Sequence, residues 1–186
     1  MNIALRRALT VAEYLAWGET QSERPRSELI NGRIVPMSPE RVEHIETKFA
    51  SALALKSAIA RSGLPCHALA DGATVPIDEH TAYEPDALVY CGDRLPRGAV
   101  AVPAPIIVVE VLSPSTAHTD TSAKLIGYFK LPSVRHYLVL DPETRIVTHH
   151  ARTPDGTIAL ASLPVSAGQL RLDPPGIELE VASLFT

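Results

Sequence analysis

Residues 105–112 read PIIVVEVL, and this stretch decides the fold because one charged residue interrupts an otherwise unbroken apolar run. Such a run predicts a central β-strand that is buried on both faces. Strand alternation divides it into two faces, Ile106-Val108-Glu110-Leu112 and Ile107-Val109-Val111. A buried carboxylate is unfavourable unless it is paired, protonated or bound to a metal. Glu110 is therefore either half of a buried ion pair or part of a functional site, which we favour.

A second carboxylate precedes another predicted strand, in YEPDALVY, residues 83–90. Pro85-Asp86 alone is a weak signal, since aspartate often begins strands and turns. If this strand lies beside the Glu110 strand, however, Asp86 and Glu110 converge on one point. Two carboxylates, a main-chain carbonyl and water suit a hard divalent cation such as Mg²⁺ or Mn²⁺. A metal there would also relieve the repulsion between the two anions.

Lys124 lies in a predicted helix that follows the Glu110 strand, four residues after Asp120. One interpretation is an exposed ion pair with Asp120 on the helix surface. In the other, Lys124 lies along the edge of the buried face, which Tyr128 shares, and reaches back to the carboxylates. Both interpretations stay open from the residues alone.

The rest of the chain alternates helical and strand patterns. Thr10 and Glu13 form a capping-box pattern that opens a short helix to about Trp17. Asn31-Gly32 is a hairpin turn between Glu28–Ile30 and Arg33–Met37. Further strands are predicted over 73–77, 86–90, 106–112, 136–140 and 146–150, followed by short strands with proline-rich turns to Thr186. A helix is predicted over 117–130, and the order favours a mixed sheet flanked by helices, an α/β or α+β fold.

A long helix is predicted between about Arg41 and Ser62. Its apolar residues recur at near-helical spacing, and Gly63 ends it; these residues are Ile45, Phe49, Leu53 and Ile59. His44, near its start, is more typical of a capping or surface histidine than of a catalyst.

Composition bounds the class of protein. The 186 residues include 17 Lys and Arg against 21 Asp and Glu, a net charge of −4, and 46% are hydrophobic. The length predicts one domain over residues 1–186. The negative net charge argues against a protein that binds polyanions non-specifically. Cys66 and Cys91 lie far apart without a CxxC motif, which argues against a disulfide or zinc framework and favours a reducing cytoplasm. No apolar segment is long enough to cross a membrane.

Other chemistry has little support in the sequence. Ser113 lacks a nucleophile-elbow context, and no Walker A or GxGxxG pattern occurs. His149 and His150 are adjacent on a strand and point to opposite faces, so they do not jointly ligate one ion. The pairs Arg6-Arg7 and Arg24/Arg26 are candidates for phosphate contacts but are more typical of solvated surface.

Several of these segments together resemble the Uma family of restriction-endonuclease-like proteins, within the PD-(D/E)XK nuclease superfamily. The resemblance spans about Val11 to His150 and is most specific from Glu110 to Pro142. Its segments are SELINGRIVPMSP (27–39), His44, EPDALVY (84–90), PIIVVEVLSPST (105–116), DTSAK (120–124) and GYFKLPSVRHYLVLDP (127–142).

The resemblance implies a restriction-endonuclease-like fold and roles for particular residues. Asp86 matches the aspartate of the PD element and Glu110 the second acid, both as metal ligands. The superfamily usually has a lysine two residues after that acid, where this chain has Leu112. In the Uma-like pattern Lys124 takes its place. Glu28 and His44 match further family positions with less defined roles.

Three hypotheses follow from the sequence. The first is a Mg²⁺- or Mn²⁺-dependent nuclease acting on DNA, a homodimer with a shared cleft because the net charge disfavours tight non-specific binding. The second is a non-catalytic nucleic-acid-binding or partner-subunit module that retains the fold. The third is a structural Glu110–Lys124 ion pair without metal.

Overall fold

The helices and strands come from a computed structural model that describes residues 7–21, 26–113 and 120–185, without the side chains of residues 120 and 121. The α-helices of this part are α1 Val11–Thr20, α2 Val42–Ser62 and α3 Asp120–Lys130. Its strands are β1 Ser27–Ile30, β2 Arg33–Pro36, β3 Cys66–Ala70, β4 Val75–Asp78, β5 Thr81–Tyr83, β6 Ala87–Cys91, β7 Ile107–Val111, β8 His136–Asp141, β9 Ile146–Arg152, β10 Ile158–Pro164, β11 Gln169–Leu172 and β12 Ile177–Glu180.

A six-stranded mixed sheet in the order β10-β9-β8-β7-β6-β3 carries the fold. Strands β7 and β8 are parallel and are connected through α3, whereas β6 and β9 pair antiparallel with their neighbours. A second sheet has the order β2-β1-β5-β4, and β11 and β12 form a hairpin. The structure is thus a mixed α+β fold, as the sequence predicted.

The large sheet separates two hydrophobic cores. On one face, Val109 of β7 packs with the buried side of α2 and with the β11–β12 hairpin. On the other face, Val108 packs with tyrosines from α3, β5 and β8. The alternation predicted for β7 is therefore confirmed within the strand. Ile106, which lies just before it, instead packs toward the α2 side.

Most predicted elements are present, with shifts of a few residues. Thr10 caps α1 in a complete capping box, and the helix runs three residues beyond Trp17. The hairpin turn has positive φ at both Asn31 and Gly32, which only such residues adopt readily. Strands β3 and β5 were not predicted. Residues 117–119 of the predicted third helix lie outside the described residues.

The apolar stripe of α2 faces outward, which the periodicity did not predict. Ile45, Phe49 and Leu53 are 50%, 68% and 52% exposed. The buried side of the helix carries Lys48 and other polar or small residues along its first half, and Leu55 and Ile59 only toward its end. Hydrophobic spacing identified the helix but gave the wrong orientation for its first half.

The expectation for the cysteines was wrong. Cys66 of β3 and Cys91 of β6 are paired across the antiparallel ladder and form a disulfide bond. Their separation of 25 residues concealed the contact, because strand register rather than sequence distance brings them together. The argument from cysteine usage for a reducing compartment therefore no longer holds. No helix in the described parts of the chain is long and apolar enough to span a membrane.

A buried histidine pair joins β8 to β9. His136 Nε2 lies 2.9 Å from the carbonyl oxygen of Pro174, which only accepts, so this nitrogen carries the proton. In neutral His136, Nδ1 then accepts from His149 Nε2 at 2.9 Å. Burial lowers the pKa of both rings to about 4, and the proximity of His136 adds to the effect on His149.

We predict that acidification weakens the fold through this pair. The pKa of His136 is about 6.5 in the unfolded chain and lower in the folded protein. The neutral ring therefore contributes its full stability at neutral pH, and this contribution decreases as the pH falls from the unfolded to the folded pKa. One such histidine lowers the free energy of unfolding by about 2 kcal/mol at pH 5. Urea unfolding between about pH 7 and pH 5 measures this loss. A His136→Leu/His149→Leu variant with the full dependence of wild type would contradict it.

Candidate functional site

Asp86 and Glu110 meet where β6 and β7 pair. The main-chain N–H of Asp86 donates to the carbonyl oxygen of Val109 at 3.1 Å, and the N–H of Val111 donates to Asp86 Oδ2 at 2.6 Å. Asp86 is 3% exposed and Glu110 is 9% exposed. The two predicted strands are therefore neighbours, and the two buried carboxylates converge as the sequence suggested.

Lys124 is buried between two carboxylates. Its Nζ lies 3.1 and 3.2 Å from the two carboxylate oxygens of Glu110 and 3.0 Å from Glu28 Oε1. Because Lys124 is only 6% exposed, its interpretation as an exposed helix-surface residue was wrong. The side chain of Asp120 lies outside the described residues. Helix α3 thus brings Lys124 to the site, and the β1–β2 hairpin contributes Glu28.

Close packing of α3 fixes the position of Lys124. Gly127 faces Tyr83, and a Cβ added at Gly127 would lie 2.6 Å from Cε2 of that ring. The absence of a side chain therefore allows the helix to approach β5. One turn beyond Lys124, the Tyr128 hydroxyl donates to Glu110 Oε1 at 2.7 Å. The sequence signal for this contact is the i, i+4 spacing of Lys124 and Tyr128, which places both on one helix face.

Lys48, which the sequence did not single out, is the second buried cation of the site. Its Nζ contacts Asp86 Oδ1 at 2.8 Å, Asp71 Oδ2 at 3.0 Å and Glu40 Oε1 at 2.8 Å. Lys48 follows His44 by one helical turn, so both project from the buried side of α2. The available signal was this i, i+4 pair of polar residues, but helical spacing alone does not show which face is buried.

His44 lies against Asp86 on the same side of the site. Its Nε2 is 3.4 Å from Asp86 Oδ2, at the long end of a hydrogen bond. Its Nδ1 is buried and has no hydrogen-bond partner among the described residues. All five predicted site residues, Glu28, His44, Asp86, Glu110 and Lys124, therefore belong to one connected cluster.

The two central carboxylates have opposite electrostatic environments. Burial raises the pKa of Glu110 to about 8; Lys124 opposes this rise, while Asp86 and Glu28 add to it. Burial also acts to raise the pKa of Asp86, but contacts from His44, Lys48 and the Val111 N–H outweigh it, so the pKa is below its ordinary value. Asp86 is thus held as an anion, whereas Glu110 has too little positive charge nearby to be held as one.

The charge of the cluster can be counted from its ion pairs. Among the described residues, these pairs form two neighbouring networks with five carboxylates and three cations in all, leaving two negative charges in excess if every carboxylate is ionised and His44 is neutral. The carboxylates are Glu28, Glu40, Asp71, Asp86 and Glu110, and the cations are Arg26, Lys48 and Lys124. One divalent cation carries the charge that would compensate this excess.

The donor atoms fit a hard cation with an incomplete protein ligand set. Asp86 and Glu110 provide carboxylate oxygens, the donors that Mg²⁺ and Mn²⁺ prefer. In the described parts of the chain, no group of three or more His, Cys, Asp or Glu residues is arranged to hold a metal ion. The remaining ligands would therefore have to be main-chain oxygen and water, a usual arrangement for Mg²⁺.

A cleft of about 320 Å³ opens beside the cluster. It lies between the start of α2, the end of β7 and the β8–β9 turn, and His44 forms part of its wall. Ser113 also lines it, without a nucleophile-elbow context. Of the cluster residues described above, His44 is the one that lines this cleft.

The weaker candidates lie elsewhere. Arg7 pairs with Glu13 of α1, and Arg26 bridges Glu40 and Asp71 at the edge of the cluster. Arg6 and Arg24 lie outside the described residues. His149 belongs to the buried histidine pair, whereas His150 stacks on Tyr137, so these two do not form a joint site.

We predict that Glu110→Gln has little effect on stability in a chelator. Lys124 keeps its 3.0 Å contact with Glu28, so the substitution does not leave a buried charge unpaired. A Glu28→Gln/Glu110→Gln variant takes two carboxylates away from Lys124 and should lower the free energy of unfolding by about 3–5 kcal/mol. Urea unfolding of both variants in EDTA measures these changes. A loss of that size in the single variant would instead indicate that the Glu110–Lys124 pair is structural.

Comparisons with known proteins identify the family of the chain. Residues 11–182 match the model of the Uma2 family, described as "Putative restriction endonuclease", which extends the resemblance beyond His150. Two uncharacterized proteins of Synechocystis sp. are similar to this chain. The protein sll1609 is 27% identical over 88% of this chain and 92% of its own length. The protein slr1290 is 26% identical over 95% of this chain and 91% of its own length.

A solved structure shows the same fold. It is described as a "putative nuclease belonging to DUF820" from Anabaena variabilis, and it aligns with a TM-score of 0.75 at 18% identity, over 95% of this chain and 97% of its own. The family match covers most of the chain, including every residue of the cluster. The chain belongs to the Uma2 family of restriction-endonuclease-like proteins.

Proposed function

We propose that this protein is a divalent-metal-dependent nuclease that hydrolyses phosphodiester bonds in DNA. The observation that carries the proposal is the convergence of two buried carboxylates, Asp86 and Glu110, with Lys124 in direct contact with the second. A buried cluster in which carboxylates outnumber cations destabilises the folded state unless protons or a bound cation compensate the charge. Membership of a restriction-endonuclease-like family supports the same chemistry.

Asp86 and Glu110 would hold Mg²⁺ or Mn²⁺ together with main-chain oxygen and water. When bound, such a metal polarises the phosphate and lowers the pKa of a coordinated water. The excess negative charge of the cluster and the raised pKa of Glu110 favour a cation at this point. Asp86, held as an anion by Lys48 and the Val111 N–H, is oriented before any metal arrives.

The other residues act on the substrate and on the orientation of the carboxylates. Lys124 would orient the attacking water or stabilise negative charge that develops on the phosphate. Glu28 holds the Lys124 ammonium in place, and the Tyr128 hydroxyl fixes one oxygen of Glu110. His44, beside Asp86 at the wall of the cleft, is placed to contact phosphate or to assist proton transfer.

The proposal includes a homodimer. With a net charge of −4, a single copy attracts a polyanion weakly, and two copies that form a shared cleft would provide more contacts along DNA. The alternative is a non-catalytic module that retains this fold. One observation favours it: Lys48 and Lys124 already pair with the central carboxylates, so the cluster has internal partners without a metal.

We predict that Mn²⁺ stabilises the wild-type protein and not Asp86→Asn. A site at 100 times its dissociation constant adds about 2.7 kcal/mol, or about 5–10 °C in melting temperature for a domain of this size. Thermal unfolding in EDTA and in excess Mn²⁺ measures the shift. Asp93→Asn, an exposed aspartate outside the cluster, is the matched control and should keep it. The same shift in Asp86→Asn would exclude Asp86 as a ligand.

We predict that Lys124→Met abolishes DNA cleavage while the Mn²⁺-induced thermal shift remains. The lysine acts on water or phosphate, whereas the carboxylates bind the metal, so the two readouts should separate. Lys130→Met on the same helix is the control, since Lys130 is half exposed and pairs with Asp78 away from the cluster. Cleavage of single- and double-stranded DNA, with RNA as comparison, is the assay. Full cleavage by Lys124→Met would refute its role.

A further inference from the structure

The exposed face of α2 carries a regular seam of six residues. Their successive separations are 4, 3, 4, 3 and 4, the spacing of residues that line one side of a helix in a two-helix coiled coil. Every one of them is exposed. The seam consists of Val42, Glu46, Phe49, Leu53, Lys56 and Ala60.

The middle of this seam is strongly apolar. Phe49 is 68% exposed and Leu53 is 52% exposed, and Ile45, which flanks them, is 50% exposed. Large side chains exposed together on one helix face are typical of an interaction surface. Within the described parts of the chain, this face of α2 packs against no other element, because the cores lie on its opposite side.

The seam is complementary to itself when reversed. Its six members fall into three pairs that are equidistant from residue 51: Phe49 with Leu53, Glu46 with Lys56, and Val42 with Ala60. A two-fold axis at this point would place each residue against its counterpart in a second, antiparallel copy of α2. A two-fold interface requires such self-complementarity, because each surface must fit its own copy.

Charge distinguishes this arrangement from the parallel one. In the antiparallel pairing, Glu46 faces Lys56 of the second copy twice, once on each side of the apolar centre. In a parallel pairing, Glu46 faces Glu46 and Lys56 faces Lys56. Opposite charges at such flanking positions select the partner and its orientation.

We propose that this α2 seam is the interface at which two copies of the chain associate, antiparallel and with Phe49 and Leu53 at the centre. This rests on the homodimer included in the proposed function and names its surface, and it sets the two carboxylate clusters on the outer sides of the paired helices instead of in one shared cleft. His44 and Lys48 project from the opposite side of α2, so the interface leaves the carboxylate clusters uncovered. Substitutions in the seam consequently test association without removing a group of the cluster.

The first experiment compares the mass in solution of wild type and Phe49→Glu by sedimentation equilibrium. We expect a wild-type dimer and a dissociation constant increased by about 100-fold or more in the variant, because the glutamate would be buried at an apolar centre. Leu160→Glu on β10 and Ile126→Glu on α3 are matched controls, since these residues are 65% and 66% exposed outside the seam. Both should remain dimeric, and circular dichroism should show native helix content in all three variants.

The second experiment reverses the flanking charges. Glu46→Lys alone and Lys56→Glu alone should each weaken the dimer by about tenfold, because each creates two like-charge contacts. An equimolar mixture of the two variants should associate about as tightly as wild type, since every facing pair is then opposite in charge. If each single variant formed a dimer as tightly as the wild-type protein does, the antiparallel register would be wrong.

The outcomes separate the interface from the dimer itself. A wild-type monomer at concentrations above about 100 µM, where even weak dimers form, would refute the homodimer and the seam together. A dimer that survives Phe49→Glu and dissociates with Leu160→Glu or Ile126→Glu would refute the seam only. Neither result depends on metal or cleavage, so failure of the nuclease proposal is detected separately.

Discussion

The structure depends on keeping the carboxyl group of Glu110 inside a central strand. Removal of this group from water raises its pKa to about 8, and the contacts from Lys124 and Tyr128 oppose that rise. Helix α3 supplies Lys124 and Tyr128, and its close approach requires glycine at position 127. The parallel pairing of β7 with β8 makes α3 the connection between them, so the topology itself delivers the lysine.

Strand residues were predictable because alternation along a strand is fixed by geometry. From PIIVVEVL alone, Glu110 could be placed on a buried face, and the hairpin and capping signals located Glu28 and α1. Helix orientation was not predictable in the same way. The first half of α2 has polar residues inward and apolar residues outward, so hydrophobic periodicity, which assumes the reverse, missed Lys48. The disulfide was missed for another reason: it depends on the register of two strands that local sequence does not specify.

The ion pairs of the cluster do not by themselves distinguish a metal site from a structural network. The balance of charge favours the metal site, because two lysines and one arginine face five carboxylates. The shortage of positive charge is at Glu110, whose pKa is raised, rather than at Asp86, whose pKa is lowered.

The inverted amphipathicity of α2 follows from the same cluster. Because the start of this helix lies over Asp86, its inward positions must carry His44 and Lys48 rather than aliphatic residues. A 21-residue helix still needs apolar burial to be stable, since propensity alone contributes little. Leu55 and Ile59 supply that burial toward the C-terminal end. In the N-terminal half, the apolar side chains lie on the outer face and are exposed in the described parts of the chain. The proposed metal site beneath this helix and the proposed interface above it are thus two consequences of one constraint.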